Sequence, residues 1–213
     1  VAALLEERLP PDARLCPLYG NLSAREQDAA IALAEAGTRK VVLATSIAET
    51  SLTIEGVRLV VDAGLERSAR FDPACGLSRL VTGRVSLAGA AQRAGRAGRM
   101  EPGICCRLWA REEENGLRPQ IRPEILDADL SGLLLQLAVW GAAGPDGVAS
   151  LTWLDQPPPA ALAVARQTLY DLGALDERGR ATSLGRKMAA LPSSPRLARL
   201  LLYGRERGHA ALA

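Results

Sequence analysis

Residues 92–99, with the sequence QRAGRAGR, place one amide and three guanidinium groups within eight positions and leave only alanine and glycine between them. Side chains three and four positions apart share a face of a helix, so Gln92, Arg96 and Arg99 are predicted to project together. Guanidinium groups beside an amide suit an anion, and phosphate above all. The alternative is a solvated basic helix turn. Two glycines inside a helix argue against that alternative. Each would cost about 1 kcal/mol of helix stability relative to alanine, and a face that only contacts solvent does not require glycine.

A second polar segment, ATSIAETSLTI at residues 44–54, follows a predicted strand at residues 40–45. That strand is apolar on both faces and is therefore expected to be buried. Open α/β sheets bind ligands beyond the carboxyl ends of their strands, where hydroxyl and backbone N–H groups can grip the phosphates of a nucleic acid or a nucleotide. A loop that only caps the next helix has a similar composition, so the segment alone leaves both interpretations open.

Strands and helices alternate through the first half of the chain, which predicts a parallel sheet with helices on its faces. Two alternating segments, 65–71 and 77–85, flank the turn sequence DPACG at 72–76 and predict a β-hairpin. Ser23 begins the sequence SARE, a capping box, and is therefore predicted to cap the N-terminus of a helix. Ser86 is predicted to cap the helix that carries residues 92–99. Further strands are predicted at 14–19, 57–61 and 103–109, and further helices at 1–9 and 23–36.

The pattern becomes mostly helical after residue 118. Short helices with one tight β-turn suggest a winged-helix module. The helices are predicted at 126–140, 160–172 and 184–191 and from Pro195 onward, and the turn at 179–182.

Composition excludes several classes of protein. The four cysteines lack CxxC spacing and only His209 could join them, which argues against a zinc site and a disulfide framework, so no metal site is predicted. The net charge of +2 is too small to indicate nucleic acid by itself. No apolar run approaches about 18 residues, so no membrane association is expected, and the cytoplasm is the expected location. The chain begins on Val1 and ends within helix-like sequence, so we expect it to be a piece of a longer protein.

The two polar segments together resemble motifs V and VI of superfamily-2 helicases, and their sequences match the DEAH-box branch closely. The PLYG sequence at 17–20 resembles motif IV, the DAG sequence at 62–64 fits the same pattern, and the FDP sequence in the hairpin is a further feature of that branch. The resemblance covers nearly the entire chain and is greatest to the bacterial HrpB-type ATP-dependent helicases.

The resemblance implies an α/β, RecA-like parallel sheet flanked by helices with a β-hairpin insertion, followed by a mostly helical winged-helix domain. Residues 1–118 would form the second RecA-like domain of the motor, residues 119–193 the winged-helix domain, and residues 194–213 the start of a helical ratchet domain. The family hydrolyses ATP between two RecA-like domains. The chain contains neither a P-loop sequence nor a DEAH box, so it would carry half of the site and be inactive alone.

The partners implied are the N-terminal RecA-like domain of the same protein, which would hold most of the Mg²⁺ coordination, and a single-stranded nucleic acid. The family favours RNA, whereas the sequence itself leaves RNA and DNA both open. The nucleotide implied is ATP. Ile31 stands near the place where some relatives stack an aromatic ring on adenine, so GTP, CTP and UTP are further candidates.

The family motifs also imply roles for individual residues. Arg96 and Arg99 would be the arginine fingers, and Gln92 would contact the γ-phosphate or the attacking water. Arg93 is expected to face acidic residues of its own domain. The nucleotide-side candidates are Ser51, Thr53, Glu55 and Gly95. The nucleic-acid candidates are Thr45, Ser46, Tyr19, Gly20 and Arg67. Relatives usually have asparagine at position 46, so the serine keeps a hydroxyl there but lacks the amide.

Two alternatives remain open. The chain could be a nucleic-acid-binding module that acts through its winged helix, but the predicted helix at 160–172 holds one arginine and is mostly apolar, which fits packing better than groove contact. It could instead be an interaction scaffold that has lost catalysis, although retention of Gln92, Arg96 and Arg99 argues against that loss.

Overall fold

The computed structural model describes residues 1–49 and 53–208, and these residues divide into two compact units. The first unit consists of residues 1–68 and 81–121. The second consists of residues 69–80 and the residues from Arg122 onward. The domain limits expected at residues 118 and 193 remain predictions, because the second unit also includes residues 69–80 and continues past residue 193 without a division.

The first unit is an α/β structure, as predicted. Its elements are α1 (Ala2–Glu6), β1 (Ala13–Leu18), α2 (Ala24–Ile31), β2 (Arg39–Ala44), a 3₁₀ turn (Ser46–Ala48), β3 (Leu59–Asp62), the start of β4 (Leu65–Asp72), the end of β5 (Leu77–Arg84), α3 (Leu87–Ala97), β6 (Ile104–Arg107) and a second 3₁₀ helix (Arg111–Gly116). Strand β1 pairs in parallel with β2, and β3 pairs in parallel with β6. Strands β4 and β5 form the predicted hairpin, whose residues 69–80 belong to the second unit.

The predicted N-caps of two helices are both present. The Ser23 hydroxyl oxygen accepts from the N–H of Glu26, whose carboxylate accepts from the Ser23 N–H at 2.9 Å, so the capping box closes. The Ser86 hydroxyl oxygen accepts from the N–H of Gly89 at 3.0 Å and fixes the start of α3. Both hydroxyls satisfy backbone donors that a helix leaves free at its first turn.

Helix α2 ends at Ile31, five residues earlier than the residue 36 at which the pattern predicts its end. The ammonium of Lys40 donates to the carbonyls of Ala30 and Ala32, and the N–H of Glu55 donates to the carbonyl of Ile31 at 3.2 Å. Groups from distant parts of the chain thus satisfy the last carbonyls of the helix, and no further turn is needed to satisfy them.

Strand β2 is less buried than its sequence predicts. Val41, Val42 and Leu43 are half-buried and Ala44 is exposed. Val42 packs against a cluster formed by Cys16, Leu18 and Ala30, so α2 and β1 cover the strand only in part. The expectation of a strand buried on both faces is therefore wrong for the described residues.

The second unit is mostly helical and is built around one apolar core that includes Leu134, Leu135, Leu169 and Met188. Its elements are a 3₁₀ turn (Glu124–Leu126), α4 (Ser131–Trp140), α5 (Pro145–Ser150), α6 (Pro159–Asp171), α7 (Ser183–Ala189) and α8 (Pro195–Glu206), and the turn before α7 is closed by an antiparallel bridge between Leu175 and Ala181.

The helix predicted at 126–140 is interrupted. The Asp129 carboxylate accepts from the N–H of Ser131 at 2.9 Å, so the chain turns there and α4 starts only at Ser131. Gly141 ends α4 in a left-handed conformation, with φ of 90°. Across all residues that the structure describes, no helix is long and apolar enough to span a membrane.

The backbone passes close to the end of α3 at Gly103, just before β6. A Cβ added at Gly103 would overlap the carbonyl oxygen of Ala97 and would lie 2.7 Å from that of Arg58. Because these are backbone atoms at the end of α3 and the start of β3, they cannot move aside without shifting both elements.

We therefore expect Gly103→Ala to lower the free energy of unfolding by about 2 kcal/mol, the usual scale of overpacking. The matched control is Gly83→Ala, where an added Cβ meets nothing within 4 Å and the change should stay within about 0.5 kcal/mol. Urea unfolding measures both variants. Equal unfolding midpoints would show that the close approach at Gly103 is not present in solution.

Candidate functional site

An open cleft of about 440 Å³ lies on the exposed side of α3. It is lined by Glu49, Gln92, Gly95, Arg96 and Arg99, which we call the arginine cleft. The cleft brings together the amide and the two guanidinium groups that the sequence predicts to share a face. These groups offer several N–H donors and two positive charges to one anion.

Arg99 reaches the cleft in a different way from the one predicted. Helix α3 ends at Ala97, Gly98 is its C-cap with φ of −96°, and Arg99 follows in the bend beyond it. The prediction that Arg99 lies on the same helix as Gln92 and Arg96 is therefore wrong, and so is the placement of Gly98 inside the helix. Because the chain turns at Gly98, Arg99 nevertheless joins the lining of the cleft.

Gly95 forms part of the floor of the cleft. It is exposed, and a Cβ added there would meet nothing within 4 Å. Packing against the described part of the chain therefore does not require glycine at this position. Glycine nevertheless costs about 1 kcal/mol of helix stability here relative to alanine. What glycine provides here is open space between the side chains of Gln92, Arg96 and Arg99.

Arg93 points away from the cleft and holds the elements below it together. Its guanidinium contacts the Glu49 carboxylate at 2.5 Å and the Asp62 carboxylate at 2.8 Å, and it donates to the carbonyl of Leu65 at 3.0 Å. Burial lowers the pKa of Arg93, but the hydrogen bond to Asp62 and the charges of Glu49 and Asp62 outweigh it, so the pKa lies above its ordinary value. Arg93 thus faces acidic residues of its own unit, as the sequence predicts.

Glu49 is the residue of this site that sequence reasoning missed. It caps the 3₁₀ turn at 46–48 and lines the cleft. Its carboxylate binds Arg93, while its main-chain carbonyl accepts a hydrogen bond from the guanidinium of Arg96. The only available signal was the expectation that Arg93 faces acids of its own domain, and that expectation does not say which acids.

The predicted nucleic-acid residues of the first two strands lie at one edge. Strands β1 and β2 are parallel, with Leu18 opposite Ala44. Tyr19 and Gly20 follow the end of β1, and Thr45 and Ser46 follow the end of β2 at the same edge. The N–H of Thr45 donates to the carbonyl of Leu18 at 3.0 Å, which ties the two ends together. All four residues are exposed and form what we call the strand-end surface.

The remaining predicted residues are not brought into the arginine cleft. Among the described residues, the lining of the cleft includes neither Thr53 nor Glu55, and both side chains are exposed. Arg67 is exposed on strand β4 of the hairpin, a different element from the strand-end surface. Ser51 lies outside the described residues. Within residues 1–49 and 53–208, no group of three or more His, Cys, Asp or Glu side chains could hold a metal ion.

Comparison with protein families gives two matches along the chain. Residues 2–101 match the helicase conserved C-terminal domain. Residues 165–192 match the helicase-associated domain HA2, a winged helix. The order of the two matches agrees with an α/β domain followed by a winged-helix domain, as predicted.

Curated relatives are similar over nearly the whole chain. The ATP-dependent RNA helicase HrpB of Escherichia coli K12 is 54% identical over 209 residues, which is 98% of this chain and 25% of that protein. The pre-mRNA-splicing factor ATP-dependent RNA helicase prp22 of Schizosaccharomyces pombe is 41% identical over 93% of this chain and 17% of its own length. The chain thus spans a quarter or less of the length of these relatives.

Solved structures agree with this similarity. The chain superposes on crystal structures described as the E. coli DExH-box NTPase HrpB and the E. coli DEAH/RHA helicase HrpB, with TM-scores of 0.85 and 0.90. Each is 53% identical, and each comparison covers 99% of this chain and 26% of the solved chain.

The geometry at Gly95 predicts an effect on stability. Gly95→Ala should raise the free energy of unfolding by about 0.5–1 kcal/mol, because alanine is the better helix former and its methyl group meets no neighbour. Gly89→Ala in the same helix is the matched control, since its Cβ would lie 3.0 Å from the Val85 side chain and 3.2 Å from the Ser86 hydroxyl. Urea unfolding of both should find Gly95→Ala the more stable. A loss of stability at Gly95 would mean that the floor of the cleft is packed rather than open.

Proposed function

Because the chain belongs to the DEAH-type helicase family, as a helicase C-terminal domain followed by an HA2 winged-helix domain, we propose that it is the second motor half of an ATP-dependent RNA helicase. The observation that carries the proposal is the arginine cleft, in which two guanidinium groups and an amide converge around a glycine. This is the electrostatic half of a phosphoryl-transfer site.

The residues of the cleft fit the terminal phosphate of ATP by their chemistry. Arg96 and Arg99 supply positive charge and N–H donors, Gln92 supplies an amide that can orient a phosphate oxygen or a water, and Gly95 leaves the space free. When bound, ATP supplies the phosphoryl group that is transferred to water. Guanidinium groups fixed beside that phosphate stabilise the charge that develops during transfer, and an arginine finger is worth about 10³–10⁵ in rate.

The other half of the site belongs to the N-terminal RecA-like domain of the full-length protein. That domain would supply the phosphate cradle, the general base and most of the Mg²⁺ coordination. Two features of this chain support the division: it contains no P-loop or DEAH sequence, and its described residues offer no cluster of metal-binding side chains. Thr53 and Glu55 are proposed to contact the nucleotide outside the arginine cleft, and Ser51, which lies outside the described residues, is proposed as a further contact of the nucleotide. The nucleotide is ATP, and GTP, CTP and UTP are further candidates, because Ile31 offers no ring that would stack on adenine and select it.

The strand-end surface is proposed to hold single-stranded RNA. Thr45 and Ser46 present hydroxyl groups, and Tyr19 and Gly20 present a ring and an open backbone at the same edge. Arg67 on the hairpin would add positive charge. Contacts of this kind bind the phosphate backbone and stack on bases without reading them, so the preference for sequence should be weak. The proposed location is the cytoplasm.

Helix α6 argues against the alternative in which the chain binds nucleic acid through its winged helix. Its one arginine, Arg166, is half-buried and donates to the carbonyl of Ala143 at 2.8 Å. An arginine engaged inside its own unit is not available to a nucleic-acid groove, so α6 serves packing.

The half-site has a direct consequence for the chain alone. We expect this chain, purified alone, to show no Mg²⁺-dependent ATP hydrolysis with or without single-stranded RNA, because arginine fingers act only on a phosphate that another domain holds in place. A malachite-green phosphate assay with the full-length protein as the positive control measures this. Turnover by the isolated chain, in a preparation free of contaminating ATPase, would contradict the half-site.

Loss of either finger should remove most of the activity of the full-length protein. Arg96→Ala and Arg99→Ala are each expected to lower kcat by about 10³-fold or more, with KM for ATP and the melting temperature little changed. Arg58→Ala is the matched control, because Arg58 forms an exposed pair with Glu101 at 2.7 Å and such pairs contribute about 0–1 kcal/mol to stability. A kcat within a few-fold of the unsubstituted protein would refute the assignment of that arginine.

A further inference from the structure

Positive charge is concentrated at the end of the second unit. Residues 183–208, which include helices α7 and α8, hold six arginines and lysines and a single acid, so their net charge is +5. The rest of the chain holds 20 arginines and lysines and 23 acids, so its net charge is −3. The small charge of the whole chain therefore does not reveal a strongly basic segment, and such a segment attracts anionic partners.

The acids of the chain do not neutralise this segment. None of its six cations forms an ion pair with an acid of residues 1–49 or 53–208. Exposed arginines elsewhere in the same unit do pair, Arg122 with Asp127 at 2.7 Å and Arg180 with Asp176 at 2.9 Å. The positive charge of α7 and α8 thus remains uncompensated by the part of the chain that the structure describes.

One face of α8 arranges two of these cations around an aromatic ring. The guanidinium carbons of Arg199 and Arg207 lie 5.5 and 5.2 Å from the centre of the Tyr203 ring. Because these residues follow one another at intervals of four, they lie along one face of the helix, which we call the α8 face. The ring attracts both guanidinium groups and limits their movement, so less freedom is lost when they bind an anion.

Arg199 and Arg207 are the cations of this face that are available to an anion. Arg196, one turn earlier, is engaged within its own unit, where it donates to the hydroxyl of Thr168 at 3.4 Å. The Nη1 atom of Arg199, by contrast, is buried and has no hydrogen-bond partner among the described residues. A buried cationic donor without an acceptor is costly, and a phosphate oxygen would satisfy it.

We propose that the α8 face is a second surface that binds the phosphate backbone of single-stranded RNA. The inference rests on the proposed function for the kind of ligand and adds a surface in the second unit. Guanidinium donors match phosphate oxygens, and their planes can stack on an unpaired base. RNA presents one phosphate at every nucleotide, so its charges repeat along the strand as the cations repeat along the helix. Contacts of this kind give no preference for sequence.

The test measures binding of a fluorescein-labelled oligouridylate to the full-length protein by fluorescence anisotropy, without nucleotide and over a range of salt concentrations. Arg207→Gln should raise Kd about fivefold, the effect of losing one charged hydrogen bond at a surface. It should also make the slope of log Kd against log salt shallower by about 0.7, the contribution of one phosphate contact with a single strand. Arg207 is exposed and follows the last residue of α8, so the melting temperature should not change.

The matched control is Arg205→Gln, an exposed arginine of the same helix. It lies two positions from Tyr203 and from Arg207 and therefore projects from a different side of α8. Both substitutions remove one positive charge and change the general field of the protein alike, so only a direct contact distinguishes them. Arg205→Gln should leave the slope unchanged.

A second pair of variants tests the ring without changing the charge. Tyr203→Leu keeps both arginines but removes the ring that positions them, and should raise Kd about threefold. Tyr203→Phe keeps the ring and should bind RNA as the unsubstituted protein does.

An unchanged Kd and slope in Arg207→Gln, or equal effects of Arg205→Gln and Arg207→Gln, would overturn the α8 face as an RNA-binding surface and leave the proposed function standing. Absence of oligouridylate binding by the unsubstituted protein would overturn the RNA-binding part of the proposed function, and this inference with it.

Discussion

The buried bridge from Arg93 to Asp62 and Glu49 is the interaction on which the rest of the site depends. A guanidinium taken out of water costs several kcal/mol unless carboxylates and carbonyls satisfy it, and Arg93 has two carboxylates and one carbonyl. Asp62 stands at the end of β3 and Glu49 follows the end of β2, so the bridge joins two strands that belong to different strand pairs. The ends of the strands and the helix above them are held in one arrangement by this residue.

The same bridge determines which face of α3 lines the arginine cleft. Since Arg93 points inward, Gln92 and Arg96 point outward, and the floor between them falls at Gly95. Asp62 also accepts from the N–H of Gly64 at 2.9 Å, while its second carboxylate oxygen has no hydrogen-bond partner among the described residues. Its buried charge is therefore balanced mainly by Arg93. A neutral residue at position 93 would leave that charge uncompensated, so this position needs a cation that pairs with Asp62.

Local signals in the sequence account for much of this architecture. The caps Ser23 and Ser86, the turn between β4 and β5 and the apolar strand before Thr45 all depend on neighbours within a few residues, and the structure contains each of them. The early end of α2 was not predictable in this way, because Lys40 and Glu55 satisfy its last carbonyls from a distance. Glu49 was missed for the same reason: its partner Arg93 lies 44 positions away, and only the fold brings them together.

The three glycines around α3 show why the composition of the motif could be interpreted only in part. Gly103 is required by a close approach of backbone, Gly98 ends the helix, and Gly95 has no neighbour that demands it. The two glycines of the motif look alike in the sequence, but only Gly95 lies inside the helix and bears the cost of that position. A residue kept at a cost to stability, where packing does not require it, points to a demand from outside the chain. On the proposed function, that demand is room for the terminal phosphate of ATP between the side chains of Gln92, Arg96 and Arg99.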